Sequence, residues 1–291
     1  MCGGRACWVD GRTMDYLLTE TGRNDLGALL KVRSLYAFDF DGTLAKIVRE
    51  HHAARLASPT RLRLEELAKR APTAIISGRS VEDLRSRVGT AVPHLIGNHG
   101  SEGPHARPED LRQVRETSLG WLQLINGRFQ DELARSGVVV ESKSFSLSFH
   151  YRTVDQRDEA RALISRIVAE LSPPPRIVLG KSVVNVMPPT ASHKGTALLE
   201  YMRRLDCNRA LYVGDDETDE DVFALRDVRI LTVRIGKKNG SSARYFLKRQ
   251  TEIAEVLRLL VEGGDQGMHP PTQEATVVKP RRNAQRVSSE A

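Results

Sequence analysis

Short apolar runs recur at 35–38, 73–76, 92–96, 210–213 and 229–233, separated by stretches of helical spacing at about 59–70, 80–88, 192–205 and 218–226. Strands that alternate with helices predict a parallel sheet covered on both faces, a doubly wound, Rossmann-like α/β core. The helix over 59–70 has a clear start signal, with Ser58 as its cap and Pro59 at its first position. Between Gly100 and Lys194 the rhythm changes. A long helical stretch with Pro108 near its start runs to about Ser136 and leads into strands near 138–142 and 145–151. A second helix at about 155–171 stops before three consecutive prolines, and strands near 176–180 and 183–187 meet at Gly180-Lys181. This αββαββ insert has its own hydrophobic alternation and reads as a separate lid. Within it, Trp121 and Phe129 are expected on a buried stripe.

The expected division is an N-terminal extension over 1–33, a core of 34–103 and 189–262, a cap domain of 104–188, and a disordered tail over 263–291. The chain crosses between core and cap near Gly103-Pro104 and Pro188-Pro189, which are the expected hinges. Residues 1–33 carry mixed polarity and predict one helix or strand resting on the core. The tail holds too few apolar residues to offset the entropy of ordering it.

Composition narrows the class. A chain of 291 residues with 40% hydrophobic content is long enough for a domain of ordinary size and a smaller second one. No run of eighteen apolar residues predicts a membrane span, and the N-terminus lacks a charged-then-apolar signal pattern. Three scattered cysteines, Cys2, Cys7 and Cys207, support neither a disulfide framework nor a zinc site, so a reducing cytoplasm is the expected location. The formal charge of +7 suits acidic ligands. Its arginines are dispersed along helices rather than gathered with stacking aromatics, and no nucleic-acid partner is expected.

Candidate chemistry sits where the apolar runs end. In Tyr36-Ala-Phe-Asp-Phe-Asp-Gly-Thr-Leu44, Asp39 and Asp41 fall one residue apart at a strand's end, where open parallel sheets bind their ligands. A carboxylate at Asp39 can attack phosphorus and form an aspartyl-phosphate, while Asp41 protonates the departing oxygen and later takes a proton from water. Gly42 and Thr43 suit the turn that follows. Two anions facing a phosphate call for a hard cation with oxygen ligands, which favours Mg²⁺. Ser77, after the run ending at Ile76, can hold phosphate oxygens at a helix start. Lys194 can pin the transferring phosphoryl group. Beyond Val213, six carboxylates occupy seven positions from Asp215 to Asp221, a density that needs a cation or a helix N-terminus to absorb it. His51-His52 and His94 are expected to be surface and structural residues, respectively.

These four segments, in this order, resemble the haloacid dehalogenase superfamily of phosphatases. Within it the chain is similar to the trehalose-6-phosphate phosphatases, on the segments Asp39–Ala45, Ile76–Arg79, Gly97–Glu102, Glu141–Arg152, His193–Gly195 and Gly214–Asp221. The resemblance covers roughly residues 34 to 262. It implies a haloacid dehalogenase-like core with an inserted cap, Asp39 as nucleophile and Asp41 as acid and base. It further implies Mg²⁺ on the Asp39 side chain, the Asp41 main-chain carbonyl and Asp215, with Asp216 and Asp219 as supporting acids and Ser77 and Lys194 on the phosphoryl oxygens. Sugar hydroxyls would meet Glu141, Lys143, His150 and Arg152 of the cap and Arg79, His99 and Glu102 of the core. Asn185 departs from the pattern, standing where many relatives carry a glutamate. The expected reaction is release of trehalose and phosphate from trehalose 6-phosphate. Rivals are a capped phosphatase for sucrose 6-phosphate or mannosyl-3-phosphoglycerate, a phosphoacceptor signalling receiver, and a non-catalytic sugar-phosphate-binding regulator on a decayed phosphatase fold. A receiver has no second Asp two residues after its acceptor and no room for such a lid.

Overall fold

The computed structural model describes residues 14–48, 53–104, 106–143, 145–180 and 182–264. The elements run β1 (Asp15–Tyr16), α1 (Glu20–Leu30), β2 (Ser34–Phe38), α2 (Ser58–Arg70), β3 (Thr73–Ile76), α3 (Val81–Val88) and β4 (His94–Ile96). Then come α4 (Pro108–Arg128), α5 (Gln130–Ser136), β5 (Val139–Ser142), β6 (Leu147–His150), α6 (Arg157–Ala169), β7 (Arg176–Gly180) and β8 (Val183–Met187). The chain closes with α7 (Lys194–Arg204), β9 (Arg209–Gly214), α8 (Glu220–Phe223), β10 (Ile230–Ile235), β11 (Tyr245–Leu247) and α9 (Ile253–Gly264).

Seven parallel strands form one sheet in the order β1-β11-β10-β9-β2-β3-β4. Strand β2 is buried along its whole length because both of its faces are covered. Tyr36 and Phe38 point into a layer with Leu26 of α1, Leu64 of α2, Leu84 of α3 and Leu257 of α9. Leu35 and Ala37, of opposite parity, face Leu198 and Tyr201 of α7 and Phe223 of α8. The doubly wound core is therefore present, and each fully buried Leu or Phe contributes about 1.5–3 kcal/mol to it. A second, antiparallel sheet of order β5-β6-β8-β7 packs Phe149 and Val186 against Trp121, Ile125, Ile164 and Ile167 of its helices. Both Trp121 and Phe129 are buried there as expected, which completes the αββαββ insert.

Several expectations need correction. Ser58 does not cap α2; Ala57 takes that position in extended conformation, Ser58 is already helical, and Pro59 falls inside the first turn, where its missing N–H costs nothing. The helical stretch to Ser136 is interrupted at Phe129, whose backbone leaves the helical region and turns its ring into the cap interior. The helix expected over 218–226 shrinks to a 3₁₀ turn at Glu217–Asp219 and the short α8, because the Asp219 side chain folds back on the preceding loop. Residues 14–30 do more than rest on the core: β1 pairs with β11 and extends the main sheet. At the other end, α9 carries order through Gly263 and Gly264, which the tail was expected to include. His94 stacks edge-on with Tyr201, ring centroids 5.6 Å apart, a structural role. Cys2, Cys7, His51, His52 and residues 265–291 lie outside the described residues. No helix among the described residues is long and apolar enough to cross a membrane.

Candidate active site

The strand ends converge as a parallel sheet requires. Asp39 follows β2, and its N–H still donates to Val213 of β9 at 2.9 Å, so the carboxylate is fixed to the sheet rather than to a free loop. The chain then turns sharply at Gly42, with φ of +82°. A Cβ built there would lie 2.1 Å from Asp215 Oδ2, so only glycine lets the first acidic loop close on the second. Gly214 meets the same demand from the other side, since its Cβ would fall 2.2 Å from Asp219 Cγ. Sequence spacing alone gives no sign of either contact.

Lys194 opens α7, is 1% exposed, and donates to Asp39 Oδ1 at 2.8 Å and Asp219 Oδ1 at 2.7 Å. Asp219 also accepts from the Tyr212 hydroxyl at 2.6 Å and from the Asp215 and Asp216 N–H groups at 2.8 and 2.9 Å. Four donors thus converge on one fully buried carboxylate. Burial would push the Lys194 ammonium down, but Asp219 and Asp39 outweigh it and hold the pKa above the usual lysine range. Burial, together with Asp219 and Asp215, pushes the Asp39 carboxyl up against the opposing pull of Lys194. Asp215 is raised to about 7 by burial first, then by Asp219 and Asp216, with Lys194 and Arg234 opposing.

Two of these groups escaped the sequence reading. Tyr212 could have been found, since a phenol in an otherwise aliphatic buried strand needs a partner for its hydroxyl. Arg234, on β10 and 5% exposed, donates to the carbonyls of Asp215 and Asp216 at 2.6 and 3.1 Å and pairs with Glu220 at 3.1 Å. It is one counter-charge for the dense acidic segment.

Carboxylate oxygens of Asp39, Asp215 and Asp219 lie within 4.8 Å of one another, close enough to hold a cation. Their hydrogen bonding separates them. Asp219 is saturated by its four donors, whereas Asp215 Oδ1 is buried with no partner among the described residues, as is the nearby Thr43 hydroxyl. An orphaned buried carboxylate oxygen beside a second buried carboxylate fits a divalent cation on Asp39 and Asp215.

Asp41 is not free. Arg79 Nε and Nη2 grip its two oxygens at 2.5 and 2.7 Å, so the arginine expected on the sugar is bonded to the candidate acid. Ser77 is buried, but α3 begins four residues later under a Ser80 cap, so Ser77 sits in the loop before the helix rather than at its start. His99, in a left-handed conformation with φ of 57°, donates its N–H to the Ser77 carbonyl. Burial, then Lys194, Lys143 and Arg176, lower its pKa to about 3, which makes it a neutral imidazole whose buried Nδ1 has no partner among the described residues. Glu102 accepts from Val81 N–H at 3.0 Å and Asn98 Nδ2 at 2.7 Å, tying two loops together.

The cap contributes a polar row. Glu141 Oε2 lies 2.8 Å from His150 Nε2 and 3.7 Å from Lys143 Nζ. Register places Glu141 beside Ser148 and Ser148 beside Asn185. The Ser148 hydroxyl donates to Asn185 Oδ1 at 2.7 Å, and the Asn185 amide reaches the Val178 carbonyl at 3.4 Å. Arg152 is exposed in the turn after β6, and no ion pair among the described residues joins it to that row. Arg176 crosses from β7 to Asp221 of the core at 2.8 and 2.9 Å. Beside it a cleft of about 730 Å³ opens between Arg176–Gly180 and the segment holding Asp216, Glu217 and Asp221.

Comparisons with known proteins agree with this arrangement. The family profile described as trehalose-phosphatase matches residues 37–250. Probable trehalose-phosphate phosphatase 4 of Oryza sativa subsp. japonica is 33% identical over 242 residues, covering 77% of this chain and 65% of that one. Trehalose-phosphate phosphatase of Mycolicibacterium paratuberculosis is 36% identical over 199 residues, covering 64% and 49%. The chain therefore spans about half to two thirds of the length of these two relatives. The C-terminal domain of C. albicans trehalose-6-phosphate phosphatase shares the fold, with a TM-score of 0.61 at 22% identity over 87% of this chain and 99% of that one. A match that starts within β2 and runs past β11, spanning both acidic loops, the cap and Lys194, shows that the chain belongs to the trehalose-phosphatase family.

Proposed function

We propose that this chain hydrolyses trehalose 6-phosphate to trehalose and inorganic phosphate through an aspartyl-phosphate on Asp39. The observation that carries the reading is the buried Asp39 carboxylate held by Lys194 beside the half-buried Asp215, whose buried Oδ1 has no partner among the described residues, at the ends of neighbouring parallel strands. Asp39 attacks phosphorus, Lys194 and Ser77 hold the equatorial oxygens, and Asp41 gives its proton to the departing sugar oxygen. Asp41 then takes a proton from the water that cleaves the acyl phosphate. Mg²⁺ on Asp39, Asp215 and the Asp41 carbonyl would neutralise charge on the transferring group. Asp216 and Asp219 orient the loop and Lys194. Glu141, Lys143, His150 and Arg152 meet the sugar from the cap; Arg79, His99 and Glu102 shape the core side.

The proposed domains follow the same logic, with a core of 34–103 and 189–262 under a cap of 104–188 that hinges near Gly103-Pro104 and Pro188-Pro189. Closure expels water and strengthens each electrostatic contact inside. A cytoplasmic protein with a small-molecule substrate, and with neither nucleic acid nor membrane as partner, completes the reading. A second substrate, sucrose 6-phosphate or mannosyl-3-phosphoglycerate, is favoured by one observation: the cap row carries a neutral amide, Asn185, bonded to Ser148, where many relatives carry a glutamate.

Phosphate release from trehalose 6-phosphate with Mg²⁺ and with EDTA, beside those two esters, glucose 6-phosphate and an aryl phosphate, tests this. The expected result is metal-dependent preference for trehalose 6-phosphate. In Lys143→Ala that preference falls while the aryl rate holds; equal losses would remove Lys143 from sugar recognition.

Cation affinity should also depend on pH with a stated sign. Asp215, raised to about 7 in the metal-free protein, is protonated below that value, so a cation must displace a proton there and none above. Mg²⁺ affinity rises with pH up to neutrality, by about tenfold per unit for each proton displaced, and flattens once Asp215 is ionised. Calorimetry in buffers of different ionisation enthalpy should find more protons released at acid pH, where Asp215 and the likewise raised Asp39 can carry them, than at alkaline pH. Proton release that is equal on both sides would contradict the assignment.

A further inference from the structure

We propose that Asp83, on α3, is a positioning residue that orients the Asp41 carboxylate through Arg79. The inference rests on the reading of Asp41 as the group that protonates the leaving oxygen. Asp83 makes no contact with Asp41 and carries no role in the mechanism above, yet it sits one guanidinium away.

All three nitrogens of Arg79 are engaged. Nε and Nη2 hold the two Asp41 oxygens at 2.5 and 2.7 Å, and Nη1 donates to Asp83 Oδ2 at 2.7 Å. A guanidinium bound at both oxygens fixes the plane of a carboxylate. What fixes the guanidinium is therefore what aims Asp41. Asp83 is itself held by a second fork, Arg87 Nε to Oδ2 at 2.9 Å and Nη2 to Oδ1 at 2.7 Å, and Arg87 Nη1 donates to the Ala54 carbonyl at 2.9 Å. The Asp83 N–H is capped by Ser80 Oγ at 3.1 Å, which anchors this end of the relay in the first turn of α3. Arg79 and Arg87 side chains are 10% and 6% exposed and Asp41 and Asp83 are 32% and 34% exposed, so the guanidinium groups are shielded while the carboxylates they orient stay partly open to water. Burial alone would raise the Asp83 carboxyl, but hydrogen bonds from Arg87 and Arg79 hold it below the usual carboxylate range. It remains a fixed anion.

The chemistry gives Asp83 a purpose. As the Asp39 oxygen bonds to phosphorus and the bond to the sugar oxygen breaks, the Asp41 carboxylic acid gives that oxygen its proton. For this, one Asp41 oxygen must turn away from Arg79 toward the leaving group. Asp83 retains the guanidinium on α3 while it does so. Without that anion Arg79 loses its hold on α3 and follows Asp41, which misaims the acid.

The test uses leaving groups. A sugar alkoxide needs protonation; p-nitrophenolate leaves with little help. We expect Asp83→Asn to lower kcat/KM for trehalose 6-phosphate by about 10- to 100-fold, the cost of misplacing a catalytic group by an ångström or less. For p-nitrophenyl phosphate the change stays within about threefold, as expected when only leaving-group protonation is impaired. The ratio of the two is independent of how much protein is folded. Arg87→Lys added to Asp83→Asn should shift the ratio no further, because Arg87 reaches Asp41 only through Asp83 and Arg79. Equal losses on both esters, no loss on either, or full additivity overturns the proposal. Asp41→Asn run alongside separates the two readings. If Asp41→Asn shows the leaving-group bias and Asp83→Asn does not, Asp83 alone is wrong; if Asp41→Asn shows none, the acid role of Asp41 falls and Asp83 with it.

Discussion

Replacing Asp39 with Asn removes turnover by about 10³-fold or more and leaves the chain folded, since a missing nucleophile cannot be covered by the groups around it. The isosteric amide keeps an oxygen for Lys194 to donate to, at the place where Asp39 Oδ1 now sits 2.8 Å from Nζ. It also takes one negative charge out of a cluster in which Asp219 and Asp215 push the buried Asp39 carboxyl up. Lys194 retains Asp219 as its counter-ion at 2.7 Å. The melting temperature of the metal-free variant should therefore match or exceed that of the parent chain, while Mg²⁺ should stabilise it less. Phosphate release and thermal unfolding with and without Mg²⁺ measure both halves. Residual activity within about tenfold of the parent would contradict covalent catalysis through this residue. A large loss of stability would instead show that Asp39 is held for its charge.

Much of this site could be read in the chain because a parallel sheet gathers the carboxyl ends of its strands. Asp39, Ser77 and Asp215 each follow a contiguous apolar run, so the strand assignment alone brings them to one edge. Lys194 joins them because it opens the helix that returns from the cap. What escaped were contacts that depend on where a side chain points. Arg79 looked like a sugar ligand, but its reach to Asp41 and Asp83 follows from the path of the loop after β3. Tyr212 and Arg234 lie on strands recognised as such, yet their partners come from the following loop. The short strands β1 and β11 escaped for another reason: two and three residues carry no period, and their pairing joins Asp15 to Tyr245 across most of the chain. Ser58 and Pro59 both signal a helix start, and local chemistry does not say which residue stays outside the first turn.

Asp219→Ala should be the most destabilising single change at the site and should cost activity as well. Four donors lose their acceptor at once: the Lys194 ammonium, the Tyr212 hydroxyl and the Asp215 and Asp216 N–H groups. Lys194 and Asp219 are both fully buried, so the ammonium would keep only Asp39 as counter-charge in a place that water does not reach. Breaking a buried pair by removing one partner costs about 3–5 kcal/mol. The loop bearing Asp215 would lose the two backbone bonds that hold its carboxylate toward Asp39, so Mg²⁺ affinity should fall too. Asp219→Asn is the discriminating variant, because the amide oxygen can still accept from the loop N–H groups while the charge is gone. If charge is what matters, Asn and Ala destabilise alike in urea unfolding. If the loop bonds dominate, Asn recovers most of the stability and of the Mg²⁺ affinity. Tyr212→Phe removes one donor and leaves the carboxylate otherwise satisfied, so it should cost no more than about 1–2 kcal/mol. A larger cost at Tyr212 than at Asp219 would reverse the order and make the phenol, rather than the carboxylate, the anchor of the site.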